Sequence, residues 1–201
     1  TMAQYRALES AGYEFYFADS NTGTGNPYDD IRMVRKHKRI PVFPTFEGYG
    51  NDESSLGVLN NPLLADTGIR WNGKTVVAND LFRAVHDAFG HGLEGAGFRS
   101  RGEENAWQAH ARLFTGPAVA ALTSETRGQN SWLNYGPHGK ANQKASVFDT
   151  VFAEQKIGIM PEWTWQEGRA GDQATTDGDE AGRFEGSDLP DASDDVRFSM
   201  R

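Results

Sequence analysis

The chain has 201 residues, 20 Lys and Arg against 28 Asp and Glu for a formal charge of -8, and no cysteine. That length fits one domain, and the missing thiols exclude a disulfide-stapled module, zinc fingers, thiolate-held clusters and a cysteine nucleophile, so any metal must sit on His, Asp and Glu. The acidic balance argues against a nucleic-acid or anionic-membrane surface built from bulk charge.

Taken in chain order, Tyr13–Phe17 is aromatic and alternating, which predicts a strand. The Gly- and Asn-rich stretch from Asn21 to Pro27 is a loop, without the Lys-Ser/Thr of a P-loop or the Gly spacing of a dinucleotide fingerprint. Tyr28–Lys38 sets Ile31 and Val34 at helical spacing behind Pro27. Its end carries the basic run Arg35–Arg39, which the helix dipole favours there. Pro41 and Pro44 confine the apolar run Ile40–Phe46 to an edge strand or extended segment. Thr67–Val77 reads as a hairpin turning at Asn72-Gly73.

From Asn79 onward the pattern is helical. Asn79 or Asp80 caps a helix running through Leu81, Val85 and Phe89. A second helix is predicted over Glu103–Phe114, a third from Pro117 to about Gln129, and a fourth over Gln143–Gln155 with Val147, Phe148, Val151 and Phe152 as its apolar stripe. The segment 166–201 holds ten acids against four bases, hence -6 of the total charge, and has almost no aliphatic residues. Such a stretch buries too little apolar surface to offset its ordering entropy. The predicted organisation is one α+β catalytic-type domain over 1–165. It comprises a small mixed α/β part with a hairpin and a helical C-terminal half carrying the metal site. An acidic, Gly-rich tail or strap follows. No apolar run approaches the roughly 20 residues that span a bilayer, and no signal-peptide pattern opens the chain, so a soluble, cytoplasmic protein is expected.

The chemistry concentrates in His86-Asp87-Ala88-Phe89-Gly90-His91. Five residues of α-helix turn about 500°, so the two imidazoles miss each other by about 140° unless the helix ends or distorts near Gly90. If they converge, one carboxylate would complete a three-residue face for Fe(II) or Zn(II). On the next helix Glu103, Trp107, His110 and Phe114 share a stripe, which is either a half-buried Trp behind capping acids or a wall of the site. His110 and Glu104 are candidates as ligands or as partners orienting an imidazole. Glu125, Gln129 and Trp132 recur on one face of a helix that Ala118, Val119, Ala121 and Leu122 make apolar, so an acid in its middle draws notice.

The stretch Val77–His91 resembles the iron-binding segment of the aromatic amino acid hydroxylases, in which a His-Asp/Glu-x-x-Gly-His helix supplies two iron ligands and a downstream Thr-x-Glu supplies the third. The resemblance covers roughly residues 60–130. It implies a metal site of His86, His91 and Glu125, with Asp87 and His110 in support and Glu104 as the substitute carboxylate. The chain has Gly92-Leu93 where that family usually places Pro, and it shows no pterin-binding loop or amino-acid-binding Arg motif, so a pterin requirement stays open. The implied activity is that of a mononuclear non-haem Fe(II) oxygenase acting on a small molecule or side chain. The same ligands would suit a Zn(II) or Mn(II) hydrolase, a peptidase or phosphohydrolase. The HD-type version of the latter would need His37 and Asp149 as well. The ending Asp194–Arg201 resembles segment ends in very large phage polyvalent proteins, which leaves a non-enzymatic phage-type interaction module as a further alternative.

Overall fold

The computed structural model describes residues 1–18, 27–48, 61–145, 149–153 and 158–166, and its architecture is α+β. Helix α1 (Met2–Ser10), which the apolar pattern did not announce, buries Tyr5 and Leu8, three apart on one face. Strand β1 (Glu14–Phe17) alternates as expected, with Phe15 and Phe17 inward. Helix α2 (Pro27–Arg32) continues as a π-helical turn, Met33–His37, and stops where Lys38 takes a left-handed φ of 52°. Strand β2 (Arg39–Val42) then pairs in parallel with β1, Phe15 opposite Ile40 and Phe17 opposite Val42. In a two-stranded sheet both strands are edges, which is how Pro41 is accommodated. The basic run is partly neutralised in place: Arg39 pairs with Glu14 at 2.9 Å, and Lys38 Nζ donates to the Ala11 carbonyl at 2.7 Å.

A short helix α3 (Thr45–Gly48) precedes the antiparallel hairpin of β3 (Asp66–Trp71) and β4 (Lys74–Val77). The turn falls on Asn72 and Gly73, both with positive φ (51° and 76°), the geometry that matches strand twist. Trp71 leaves the hairpin to stack on Phe15 at 5.7 Å, and its Nε1 donates to Tyr5 Oη. Around this contact Tyr5, Leu8, Phe15, Phe17, Ile40, Val42, Val76 and Val85 form the first core cluster.

Helix α4 (Ala78–His86) is capped at Val77, two or three residues earlier than the Asn79 or Asp80 cap predicted. Asp80 lies in its first turn instead, where its carboxylate accepts from the Val77 N–H at 3.0 Å and from both Thr45 N–H and Thr45 Oγ1 at 2.8 and 2.6 Å. Asn79 Nδ2 donates to the same Thr45 hydroxyl, and Arg83 to the Phe43 carbonyl. The Asn-Asp lead-in is thus a structural clamp that fixes α4 to the segment after β2, its buried charge satisfied by three donors.

Past α4 the chain makes a second π-helical turn, Asp87–Gly92, and then helix α5 (Ser100–Ala111). Next come α6 (Pro117–Thr123), a third π-helical turn over Ser124–Gly128, and α7 (Gln129–Tyr135). Trp107, Ala111, Val119 and Leu122 form a second core cluster, with Phe82, Phe114 and Trp165 against it. The fourth helix expected over Gln143–Gln155 is not present among the described residues, and Val147 and Phe148 lie outside them. A single turn, α8 (Gly139–Asn142), occurs earlier, and Val151 and Phe152 are exposed in non-helical chain. The cause is Asn142, buried at the end of α8. Its amide donates to the Leu133 and Val151 carbonyls and accepts from the Val151 N–H at 2.9 Å, using the backbone groups a helix would need. A last turn, α9 (Trp163–Gln166), ends the described chain, so the predicted acidic tail lies almost wholly outside it. Among the described residues no helix is long and apolar enough to cross a membrane.

Candidate metal centre

His86 ends α4 and His91 lies in the π-helical turn that follows. A π turn closes i→i+5 hydrogen bonds, so residues five apart come to lie one above the other. The distortion that the five-residue spacing demands is therefore built into the backbone. The two rings stand edge to face, centroids 5.1 Å apart. Gly90 permits it: a Cβ there would lie 2.9 Å from the Ala106 carbonyl and 3.1 Å from His86 Cε1, so α5 could not approach.

Helix α5 brings two more groups. Glu103, in its first turn, reaches His91 Nε2 at 3.3 Å through Oε2, and two turns on His110 meets His86, Nδ1 to Nδ1, at 3.1 Å. His86, His91 and His110 are fully buried and the Glu103 side chain is 13% exposed. Ligand atoms of His86, His91 and Glu103 all lie within 4.8 Å of one another, and this group could hold a metal ion. Two donors at about 2.1 Å from one ion stand about 3.0–3.4 Å apart at tetrahedral or octahedral angles, which the His91–Glu103 separation already meets.

His91 Nδ1 faces the Ala96 carbonyl at 3.0 Å, an acceptor only, so Nδ1 carries a proton and Nε2 is the nitrogen turned to Glu103. In the His86–His110 contact one Nδ1 must donate and the other accept. When His86 donates, its Nε2 becomes a lone pair, buried and without a hydrogen-bond partner, as is His91 Nε2, whose approach to Glu103 lacks hydrogen-bond geometry. With His86 donating and His91 neutral, two imidazole lone pairs would lie beside a carboxylate, an arrangement that a divalent cation satisfies.

Electrostatics separate the three rings. Burial drives the His86 pKa well below the ordinary histidine value, aided by its imidazole neighbours, and drives that of His110 down to about 3. Burial pulls on His91 as well, but Glu103, with Asp87 and the Ala96 carbonyl behind it, more than offsets this and leaves its pKa raised. Hydrophobic rings enclose the cluster: Phe98 stacks on His91 at 4.3 Å, Phe82 on His86 and His110 at 6.1 and 6.2 Å, and Phe114 meets His110 edge-on at 4.9 Å.

The structure thus brings together His86, His91 and His110 as the sequence suggested, and places Asp87 near enough to act on His91 through its charge. It does not bring Glu125 or Glu104 to the group, and the expected third ligand is corrected accordingly. Glu125 sits in the π turn after α6 against an apolar pocket, bonded to Gln129 at 3.1 Å. Glu104 points to the other side of α5, where Arg127 binds it at 3.0 Å and also lies over Trp107. The carboxylate in place is Glu103. Its seven-residue spacing from His110, two helical turns on one stripe, was the signal for it. No protein-family model, curated protein or solved structure matches the chain.

Proposed function

We propose that the chain is a mononuclear non-haem Fe(II) oxygenase whose ion is held by His86, His91 and Glu103. The observation that carries this reading is the convergence of two buried imidazole Nε2 atoms without hydrogen-bond partners and one carboxylate, with no thiolate in the group. An Fe(II) bound to two imidazoles and a carboxylate would supply open positions for dioxygen and a substrate. The chain's own residues supply the rest. The Ala96 carbonyl accepts from His91 Nδ1, and His110 Nδ1 would accept from His86 Nδ1 once an ion occupies His86 Nε2. Phe82, Phe98 and Phe114 keep water from the cluster.

The test is anaerobic loading of the metal-free chain with Fe(II), followed by metal analysis and dioxygen uptake in the presence of ascorbate. One ion per chain and Fe(II)-dependent uptake are expected. His91→Ala and Glu103→Ala should weaken binding at least about 100-fold, His110→Leu about 10–100-fold, and Glu125→Ala not at all. Tight zinc binding with no dioxygen uptake by the Fe(II)-loaded chain would favour a Zn(II) or Mn(II) hydrolase on the same ligands. Failure to bind Fe(II), Zn(II) or Mn(II) would remove both readings.

A further inference from the structure

Glu125 has a surrounding of its own. A pocket of about 350 Å³ opens between α4 and α6, and Leu81, Phe82, Phe114, Ala121 and Leu122 give it an almost wholly hydrocarbon wall. Glu125 is the one ionisable side chain in that wall; Thr1 and Thr67 also border it, and Thr1 brings a partly buried α-amino group to its rim, with no ion pair to Glu125 among the described residues. Gln129 Nε2 donates to Glu125 Oε2, and Oε1 has no hydrogen-bond partner among the described residues. The nearest cation in sequence, Arg127, is committed to Glu104.

We propose that this pocket binds a small molecule with a hydrocarbon body and a single ammonium group, the body against Leu81, Phe82, Phe114 and Leu122 and the ammonium on Glu125 Oε1. A mostly apolar pocket of this size with a few polar groups is the usual form of a small-molecule site, and here the one carboxylate selects the ligand's head. A carboxylate against hydrocarbon is costly unless a cation pairs with it, so an ammonium ligand gains there what a neutral or anionic one does not. Consistent with this, burial pushes the Glu125 carboxyl up to about 7 in the unliganded protein. Phe82 and Phe114 line the pocket and also pack against His86 and His110, so the site adjoins the histidines without sharing a residue with their ligand set. The proposal stands whether or not the histidines take metal.

The experiment titrates the full metal-free chain with three probes of one hydrocarbon body, cyclohexylmethylamine, cyclohexylmethanol and cyclohexanecarboxylate, followed by ligand-observed NMR. The amine is expected to bind about tenfold tighter than the alcohol and tighter still than the carboxylate, the worth of one charged hydrogen bond. Glu125→Gln should remove that preference by weakening the amine about tenfold while leaving the alcohol unchanged. Ala121→Trp, at an exposed position on the pocket wall, should abolish binding of all three; thermal melts identify a variant that has merely unfolded. Absence of saturable binding to the unmodified chain overturns the proposal. So does an amine preference that survives in folded Glu125→Gln, or amine binding that survives in folded Ala121→Trp.

Discussion

Glu103 and Glu125 lie on neighbouring helices of one chain and have opposite circumstances. Glu103 is set against a histidine whose pKa its charge raises, whereas Glu125 faces hydrocarbon and has its own pKa raised to about 7. For Glu125 the linkage runs in one direction. A carboxyl that holds its proton more tightly when folded than when unfolded favours the fold while protonated, and that advantage is lost as pH rises from 4.5 through about 7. Between those limits the stability of the metal-free chain should fall by at most about 3 kcal/mol on account of this group. Urea melts across the range should show the decline in the unmodified chain and a flatter profile in Glu125→Gln. An equal slope in both would mean that solvent reaches the carboxyl freely. Sequence alone placed Glu125 on an apolar helix and the resemblance made it a metal ligand; the structure sets it against the pocket, outside the histidine group. An acid set against hydrocarbon needs some reason to be there, and nearness to an ion is only one.

At the scale of elements, the π-helical turn over Asp87–Gly92 decides whether a site exists. On a regular helix His86 and His91 would point apart; the wider turn stacks them, and Gly90 leaves room for α5 to press against the join. Gly90→Ala should therefore cost about 1–3 kcal/mol in urea unfolding despite alanine's better helix propensity, and should lower metal affinity with it, since the Ala106 backbone has to retreat. Unchanged stability and affinity would show that the two helices can separate without loss. The need for a distortion near Gly90 was legible in the spacing, as were β1, the Asn72-Gly73 hairpin and the second and third helices. Helix α1 was not, because only Tyr5 and Leu8 of its nine residues are buried, too short a stripe to stand out as periodic. The end of the third helix was displaced because a π turn lets the chain run on to Tyr135 instead of stopping near Gln129. Among the described residues the fourth helix is absent for a reason no periodicity carries: one buried amide, Asn142, takes up the backbone groups at Val151.

Over the whole molecule, α4 packs into the first core cluster and α5 into the second, with the histidines between them. An ion on His86, His91 and Glu103 would fasten one half to the other, and anything that binds only the folded chain stabilises it by mass action. Zinc at about 100 times its dissociation constant should raise the melting temperature by about 5–10 °C, and Glu103→Ala should lose most of that rise. An identical rise in the variant would place the stabilising ion elsewhere. The contact between His86 and His110 adds a subtler tie. Two neutral rings facing each other through Nδ1 share a single hydrogen, and without an ion that hydrogen can belong to either half of the protein. An ion on His86 Nε2 obliges it to stay on His86, so the ring on α5 becomes the pure acceptor. Loading the site therefore breaks a near-symmetry between the two halves and gives the bond joining them a fixed direction.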